Sequence, residues 1–100
     1  MARLGDTART SLKSILEAVL LAADEPLDRA ALASVFAEDE QPGDSDIAQA
    51  LAELDADYAE RGLELKEVAS GFRIQVREEV NSWVSRLWEE RPQRYSRALL

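Results

Sequence analysis

The stretch Gly62 to Val76, GLELKEVASGFRIQV, decides the fold because it reads as two short strands joined by a tight turn. In its second half, apolar and polar residues alternate with the period of a half-buried strand, the apolar ones being Phe72, Ile74 and Val76. The first half alternates from Leu63 to Lys66 before Glu67 and Val68 break the rhythm. Between them, Ala69-Ser70-Gly71 is a turn signal with a glycine that can take a positive φ. Because a lone two-stranded ribbon is unstable in water, we expect this hairpin to pack on helices.

Two helices are predicted in the first part of the chain. Apolar residues recur at helical spacing over residues 12–20, with Ser11 as a candidate N-cap; they are Leu12, Ile15, Leu16, Val19 and Leu20. Asp28 is the candidate N-cap of a second, shorter helix over about Arg29 to Ala37. The leucines on either side of Asp28 have the spacing of a hydrophobic staple, which supports that start.

A third helix is predicted before the hairpin and a fourth after it. The third follows an acidic, exposed loop over residues 38–44, begins near Ser45 or Asp46 and ends where Gly62 can act as the C′ residue. Its apolar face consists of Ile47, Leu51, Leu54 and Tyr58. The fourth stops before Pro92 and its apolar stripe consists of Val80, Trp83, Val84, Leu87 and Trp88. The order helix, helix, helix, hairpin, helix predicts a mainly α fold with a small β-hairpin, the winged helix-turn-helix.

Length and composition fit one small domain. The chain has 100 residues, of which 46% are hydrophobic, enough for a single core, and we expect residues 1–91 to form an N-terminal winged-helix domain. Residues 92–100 end on an apolar run with no helix stop signal, so we expect them to start a linker or helix that leads to an absent second winged-helix domain. The chain has no cysteine, no signal peptide and no apolar run of membrane-spanning length, which predicts a cytoplasmic protein without a membrane partner.

The distribution of charge argues against DNA reading by the third helix. A winged helix that reads DNA places this helix in the major groove, where it needs Lys and Arg. Here residues 44–60 contain six acidic residues, and no Lys or Arg occurs before Arg61. Residues 1–61 hold five Lys/Arg against fourteen Asp/Glu, a net charge of −9, whereas residues 62–100 hold seven against six, a net of +1. We therefore expect no direct binding of nucleic acid.

The basic residues that gather late in the chain allow two interpretations. They are Arg73, Arg77, Arg86, Arg91, Arg94 and Arg97. In the simpler interpretation they are solvated strand and helix faces, which is the usual place of arginine. In the functional interpretation they meet an acidic surface of a partner protein or, with less support, a nucleic acid.

The residue types needed for common catalytic chemistry are missing. The chain has no histidine and no cysteine, and it contains neither a glycine-rich phosphate loop nor a GxSxG motif. The acidic loop from Glu38 to Asp46 lacks the ligand spacing of an EF-hand, so weak cation binding is the most that it predicts. We expect a protein that is not an enzyme and that has no cofactor and no metal site.

Two tryptophans raise the question of an interaction surface. Trp83 and Trp88 are five residues apart, about 140° around a helix, so both cannot face one core well. One interpretation places Trp83 in the core and Trp88 at its edge. The other makes Trp88 an anchor of a protein interface, a role in which aromatic residues and arginine are enriched. The candidate interface residues are Trp83, Arg86, Leu87, Trp88, Tyr95 and Leu99.

Three segments together resemble a known family. They are LKSILEAVLLAADEPLDRAALASVF (residues 12–36), IAQALAELDADYAERGLELKEVASGFRIQVREE (residues 47–79) and PQRYSRALL (residues 92–100). They are similar to the N-terminal half of segregation and condensation protein B, in which an "ILEALLFASDEPL" type of helix and a wing of the type "RGLEL.EVAGGFRL.T" occur. The chain departs from this pattern at Ala69-Ser70, where a glycine is frequent, and in a longer, more acidic loop at residues 38–46.

The resemblance implies a non-enzymatic subunit of bacterial condensin that supports chromosome condensation and segregation. It implies a homodimer that binds the kleisin subunit, segregation and condensation protein A, and through it the SMC ATPase, so that this cytoplasmic protein associates with the nucleoid through the complex. In the family, the N-terminal winged helix is associated with self-association and the second one with much of the kleisin contact. Two alternatives remain open: a DNA-binding winged-helix transcription regulator, and a scaffold domain with the same fold and dimer but no kleisin.

Overall fold

Three α-helices, a β-hairpin and a short fourth helix follow one another in the computed structural model, which describes residues 11–89. The helices are α1 (Leu12–Ala22), α2 (Arg29–Ala33), α3 (Asp44–Asp57) and α4 (Asn81–Ser85), and the strands are β1 (Leu63–Val68) and β2 (Gly71–Val76). Short 3₁₀ turns at Glu38–Glu40 and Glu78–Val80 precede α3 and α4. This order confirms the predicted fold class, and we call the β1–β2 hairpin the wing.

The two predicted N-caps are present. The Ser11 hydroxyl accepts a hydrogen bond from the Ser14 amide at 3.1 Å, and the Asp28 carboxylate accepts one from the Ala31 amide at 2.8 Å. Helix α2 nevertheless ends at Ala33, four residues before the predicted Ala37. The Ser34 hydroxyl donates to the Ala31 carbonyl at 2.7 Å, a local bond that competes with the helical pattern.

Helix α3 ends earlier than predicted, and a distant arginine binds carbonyls at its end. The helix runs from Asp44 to Asp57 with Tyr58 as C-cap, so the prediction of Gly62 as the C′ residue is wrong. The Arg77 guanidinium donates to the Tyr58 carbonyl at 2.8 Å and to the Arg61 carbonyl at 2.9 Å. These bonds satisfy carbonyls at and just beyond the helix end that have no partner within the helix.

The wing is an antiparallel pair whose register brings its apolar residues to one face. Leu63 lies opposite Val76, and Leu65 lies opposite Ile74. Strand β1 continues to Val68, beyond the point where alternation stops in the sequence, because Val68 pairs with Gly71 across the two-residue turn. The break in alternation at Glu67 therefore does not end the strand, and the predicted hairpin and the position of its turn are confirmed.

The wing is attached to the helices by the segment between α1 and α2. Leu27 and Phe72 form a β-bridge in which each amide donates to the other's carbonyl, at 2.9 and 2.8 Å. Gly71 lies directly against this segment with a φ of 142°, and a Cβ there would be 2.4 Å from the Leu27 carbonyl carbon. Only glycine fits this crossing.

The core lies between α1, α2, α3 and the inner face of the wing. Its buried residues are Leu16, Leu20, Leu32, Ile47, Ala50, Leu51, Leu54 and Tyr58. The wing contributes half-buried residues that pack against them, namely Leu63, Leu65, Phe72 and Ile74. Each fully buried leucine stabilises the fold by roughly 2 kcal/mol. The predicted apolar stripes of α1 and α3 thus form one core, which positions the wing beside α3.

Candidate protein-interaction surface

Helix α4 and the turns that follow it form the last described segment of the chain, after the wing. The α-helix covers only Asn81–Ser85, and beyond it the amides of Arg86, Leu87 and Trp88 bond to the carbonyls three residues back, at 3.2, 3.0 and 3.0 Å. These are the tight turns with which a helix often ends, because its last carbonyls lack partners four residues on. The predicted continuous helix to Trp88 is therefore a shorter helix followed by turns.

The large apolar side chains of this segment are exposed. Trp83, Leu87 and Trp88 are 66%, 55% and 77% exposed, whereas Val80 and Val84 are half-buried. The interpretation that places Trp83 in the core is wrong, because the two valines occupy the inward side. We call Trp83, Leu87 and Trp88 the α4 patch. Large exposed apolar side chains gathered in one segment are candidates for a protein interface.

The structure brings four of the six predicted interface residues into this one segment. Arg86 is exposed between the members of the α4 patch, as the enrichment of arginine at interfaces suggests. Tyr95 and Leu99 lie outside the described residues. The assignment of these six residues to an interface stays a prediction.

Arg77, one of the late arginines, has a structural role. Besides the two carbonyls at the end of α3, its guanidinium lies 3.7 Å from the Glu64 carboxylate, and its side chain is 21% exposed. Arg73 differs, since its side chain is exposed and its Nε donates to the Gln75 side chain at 2.7 Å. Arg77 is thus removed from the set of arginines that could meet a partner.

The outward face of α3 is acidic in the structure as in the sequence. Asp46, Glu53 and Asp55 are exposed, and the first turn of the helix contains Asp44 and Asp46. Two cations reach this helix from its neighbours: Lys13 Nζ lies 2.7 Å from the Asp57 carboxylate, and Arg29 Nε lies 3.0 Å from that of Asp44. The hydrogen bond to Asp57 raises the pKa of the Lys13 ammonium. A duplex approaching this face would meet carboxylates, which repel phosphates.

A groove separates α3 from the wing. Its apolar lining comes from Ala48, Leu51 and Ala52 of α3 and from Leu65 and Phe72 of the wing, and it encloses about 290 Å³. Asp55, Glu67 and Arg29 stand at its rim. We call it the α3–wing groove. Sequence reasoning missed it, although the alanines at positions 48 and 52, one helical turn apart, leave room on that face of α3.

The described part of the chain presents neither a metal cluster nor a membrane span. Within residues 11–89, no group of three or more Asp, Glu, His or Cys is placed to hold a metal ion. In the same residues, no helix has the length and apolar character needed to cross a bilayer.

Comparison with known proteins identifies the family. The family model of the segregation and condensation complex subunit ScpB matches residues 14–100. The chain belongs to the ScpB family. Segregation and condensation protein B homolog of Coxiella burnetii is 49% identical over 88 residues, which cover 88% of this chain and 42% of that protein. Segregation and condensation protein B of Syntrophotalea carbinolica is 44% identical over 91 residues, covering 89% and 44%. The chain spans less than half the length of these ScpB relatives.

Solved structures agree with this assignment. The crystal structure of ScpB from Mycobacterium tuberculosis superposes with a TM-score of 0.67 at 32% identity, over 77% of this chain and 47% of that one. A crystal structure described as a dimer of the ScpB N-terminal domain complexed with ScpA peptide has a TM-score of 0.64 at 27% identity, over 74% of this chain and 84% of that one. The predicted resemblance and the winged-helix fold are both confirmed.

Proposed function

We propose that this ScpB family member is a non-enzymatic accessory subunit of the bacterial SMC condensin complex. In this role it forms a homodimer and binds the kleisin subunit ScpA, which connects it to the SMC ATPase and to chromosome condensation and segregation. Family membership supports the role, as does the related N-terminal domain whose structure is described as a dimer complexed with ScpA peptide. The proposal includes a cytoplasmic location on the nucleoid, and a second winged-helix domain after the domain of residues 1–91.

The observation that carries the proposal is the α4 patch. Trp83, Leu87 and Trp88 expose more than half of their surface on a domain whose other apolar stripes are buried in one core. Burying two copies of such a patch against each other across a two-fold axis would remove this apolar area from water. The patch therefore supports a protein-binding role for this winged helix.

A non-catalytic role is supported by the composition of the chain. It contains no histidine and no cysteine, the residues most often used as general base and as thiolate nucleophile. Its role would then consist of holding other subunits together, for which the described surface offers an apolar patch and an acidic helix face.

The replacement Trp88→Ala tests the dimer interface. We expect it to weaken self-association by more than ~1 kcal/mol, because a central exposed tryptophan that becomes buried on binding is the usual form of an interface hot spot. Since Trp88 is 77% exposed in the monomer, the replacement should leave the stability of the monomer nearly unchanged. Sedimentation equilibrium over a concentration series measures the dimer constant.

Leu21→Ala is the matched control for this experiment. Leu21 is also a large exposed apolar residue, at 59%, but it belongs to α1 and not to the α4 patch. Its replacement should leave the dimer constant unchanged. Equal dimer constants for wild type and Trp88→Ala would remove Trp88 from the interface, and a wild type that stays monomeric at high concentration would refute self-association of this chain.

A further inference from the structure

The α3–wing groove lies on the surface that a DNA-reading winged helix turns towards the duplex, yet its chemistry is that of a peptide-binding site. We propose that this groove binds a segment of the kleisin that inserts an apolar side chain between Ala48 and Phe72 and carries Lys or Arg on both sides of it. The inference rests on the proposed function, because it takes ScpA as the partner. It adds the site of binding and the chemistry that the bound segment must have.

The shape of the groove suits side chains of a polypeptide. Ala48 and Ala52 are one turn apart on α3, and their small side chains line the α3 side of the groove. Leu51 lies between them in the sequence; it is buried and also lines the groove. Leu65 and Phe72 close the opposite side and are only half-buried, although both pack on the core. The volume of about 290 Å³ is near the lower limit of ligand pockets, roughly 300 Å³. One or two apolar side chains would complete the packing that the chain itself leaves open.

The groove continues along the protein, which favours a linear segment over a compact ligand. A second hollow of about 450 Å³ shares Arg29, Glu67 and Phe72 with it and extends past the wing turn at residues 69–71. This second hollow also contains polar side chains, those of Asp28, Asp44 and Ser70. Together the two hollows form a channel that is apolar beside α3 and polar beside the wing turn, a sequence of environments that an amphipathic peptide can match.

Charge specifies the flanking residues of the bound segment. Four carboxylates line the channel, those of Asp28, Asp44, Asp55 and Glu67, against the single cation Arg29. Asp28 caps α2, and Asp44 pairs with Arg29 at 3.0 Å. Within the described residues, Asp55 and Glu67 form no ion pair. Two exposed carboxylates beside an apolar groove attract a segment with cationic side chains and repel nucleic acid.

The replacement Ala52→Arg tests the site because it fills the groove and adds a positive charge at its rim. Ala52 is exposed on the surface of α3, and arginine is a good helix former, so the fold should be kept. We expect the affinity for purified cognate ScpA, measured by isothermal titration calorimetry, to fall roughly tenfold or more. Glu67→Gln, which removes charge without adding bulk, should weaken binding by about threefold and flatten its dependence on salt.

Ala18→Arg is the matched control, with the same residue change and the same charge change at an exposed position of α1 that does not line the channel. It should bind ScpA as the wild type does. Equal binding by Ala52→Arg and wild type would overturn the groove assignment while leaving the proposed function intact. No binding by the wild type would overturn the choice of ScpA and the groove assignment with it. Loss of self-association in Ala52→Arg, with ScpA binding kept, would make the groove a contact between copies and would also overturn the inference.

Discussion

Gly71 is the residue at which the wing crosses the backbone leading into α2. Its φ of 142° is available to glycine and strained for other residues, and a Cβ would lie 2.4 Å from the Leu27 carbonyl carbon and 2.6 Å from the Asp28 amide. We expect Gly71→Ala to destabilise the fold by roughly 2–5 kcal/mol, from backbone strain plus the clash with atoms that cannot move independently. Urea denaturation followed by circular dichroism measures this loss.

Gly62→Ala is the control for the Gly71 prediction. A Cβ on Gly62 would come no closer than 3.8 Å to the Val80 side chain, and Gly62 does not have a positive φ. This replacement should change the free energy of unfolding by less than ~1 kcal/mol. If Gly71→Ala unfolded at the wild-type urea midpoint, the close crossing of the wing and the Leu27 segment would be disproved.

Tyr58 links α3 to α1 and should make stability depend on pH in the alkaline range. Its hydroxyl donates to the Glu17 carboxylate, and burial together with this bond raises the pKa of Tyr58 to about 12. In the unfolded chain the pKa is about 10, so the folded state holds the proton more tightly. The resulting stabilisation is fully present below pH ~10 and is lost as pH rises through ~12, up to roughly 2–3 kcal/mol.

Tyr58→Phe isolates this effect in denaturation experiments between pH 9 and 12. At pH 9 we expect the variant to be about 1–2 kcal/mol less stable than wild type, because the Glu17 carboxylate loses its hydrogen-bond donor. The difference should shrink as pH rises and reverse near pH 12, because only the wild type loses the contribution of the protonated tyrosine, roughly 2 kcal/mol by that pH. Lysine titration affects both proteins and cancels in the comparison. A stability difference that stays constant across this range would contradict the pKa assigned to Tyr58.

At the level of elements, the sequence predicts what is decided locally. The N-caps at Ser11 and Asp28 and the turn at residues 69–71 were predictable because each depends on a few neighbouring residues. The end of α3 was not predictable in this way. The carbonyls there are bound by Arg77, which lies 19 positions from the carbonyl of Tyr58 that it binds. Long-range contacts of this kind leave no periodic signal in the sequence.

Helix α4 shows that local patterns in the sequence also fail to reveal long-range contacts at the candidate site. Periodicity indicates which residues share a stripe, and it correctly groups Val80 and Val84 on the inner side. It does not indicate whether another element covers the rest of the stripe, and in the described structure nothing buries Trp83. The α3–wing groove was missed for a related reason, because it arises only when Leu65 and Phe72 of the wing stand opposite α3.

At the scale of the whole molecule, the charge distribution separates an adaptor from a DNA-binding regulator. The chain has a net charge of −8, and the exposed face of α3 carries carboxylates where a DNA-reading helix carries cations. Neutralisation of phosphates by Lys and Arg supplies most of the non-specific affinity of a protein for duplex DNA. A lack of this affinity can be measured without knowing a target sequence. The prediction therefore concerns any duplex.

We expect the wild-type chain to show little binding to a fluorescent 30-base-pair duplex even at about 20 mM salt, where electrostatic attraction is strongest. Glu53→Lys combined with Asp55→Lys places two cations on the exposed face of α3 and should increase duplex affinity several-fold, with a steeper dependence on salt. Fluorescence anisotropy at several salt concentrations measures both effects. Tight wild-type binding that weakens steeply with salt would instead favour the regulator, because the acidic face of α3 would then not be the surface that meets DNA.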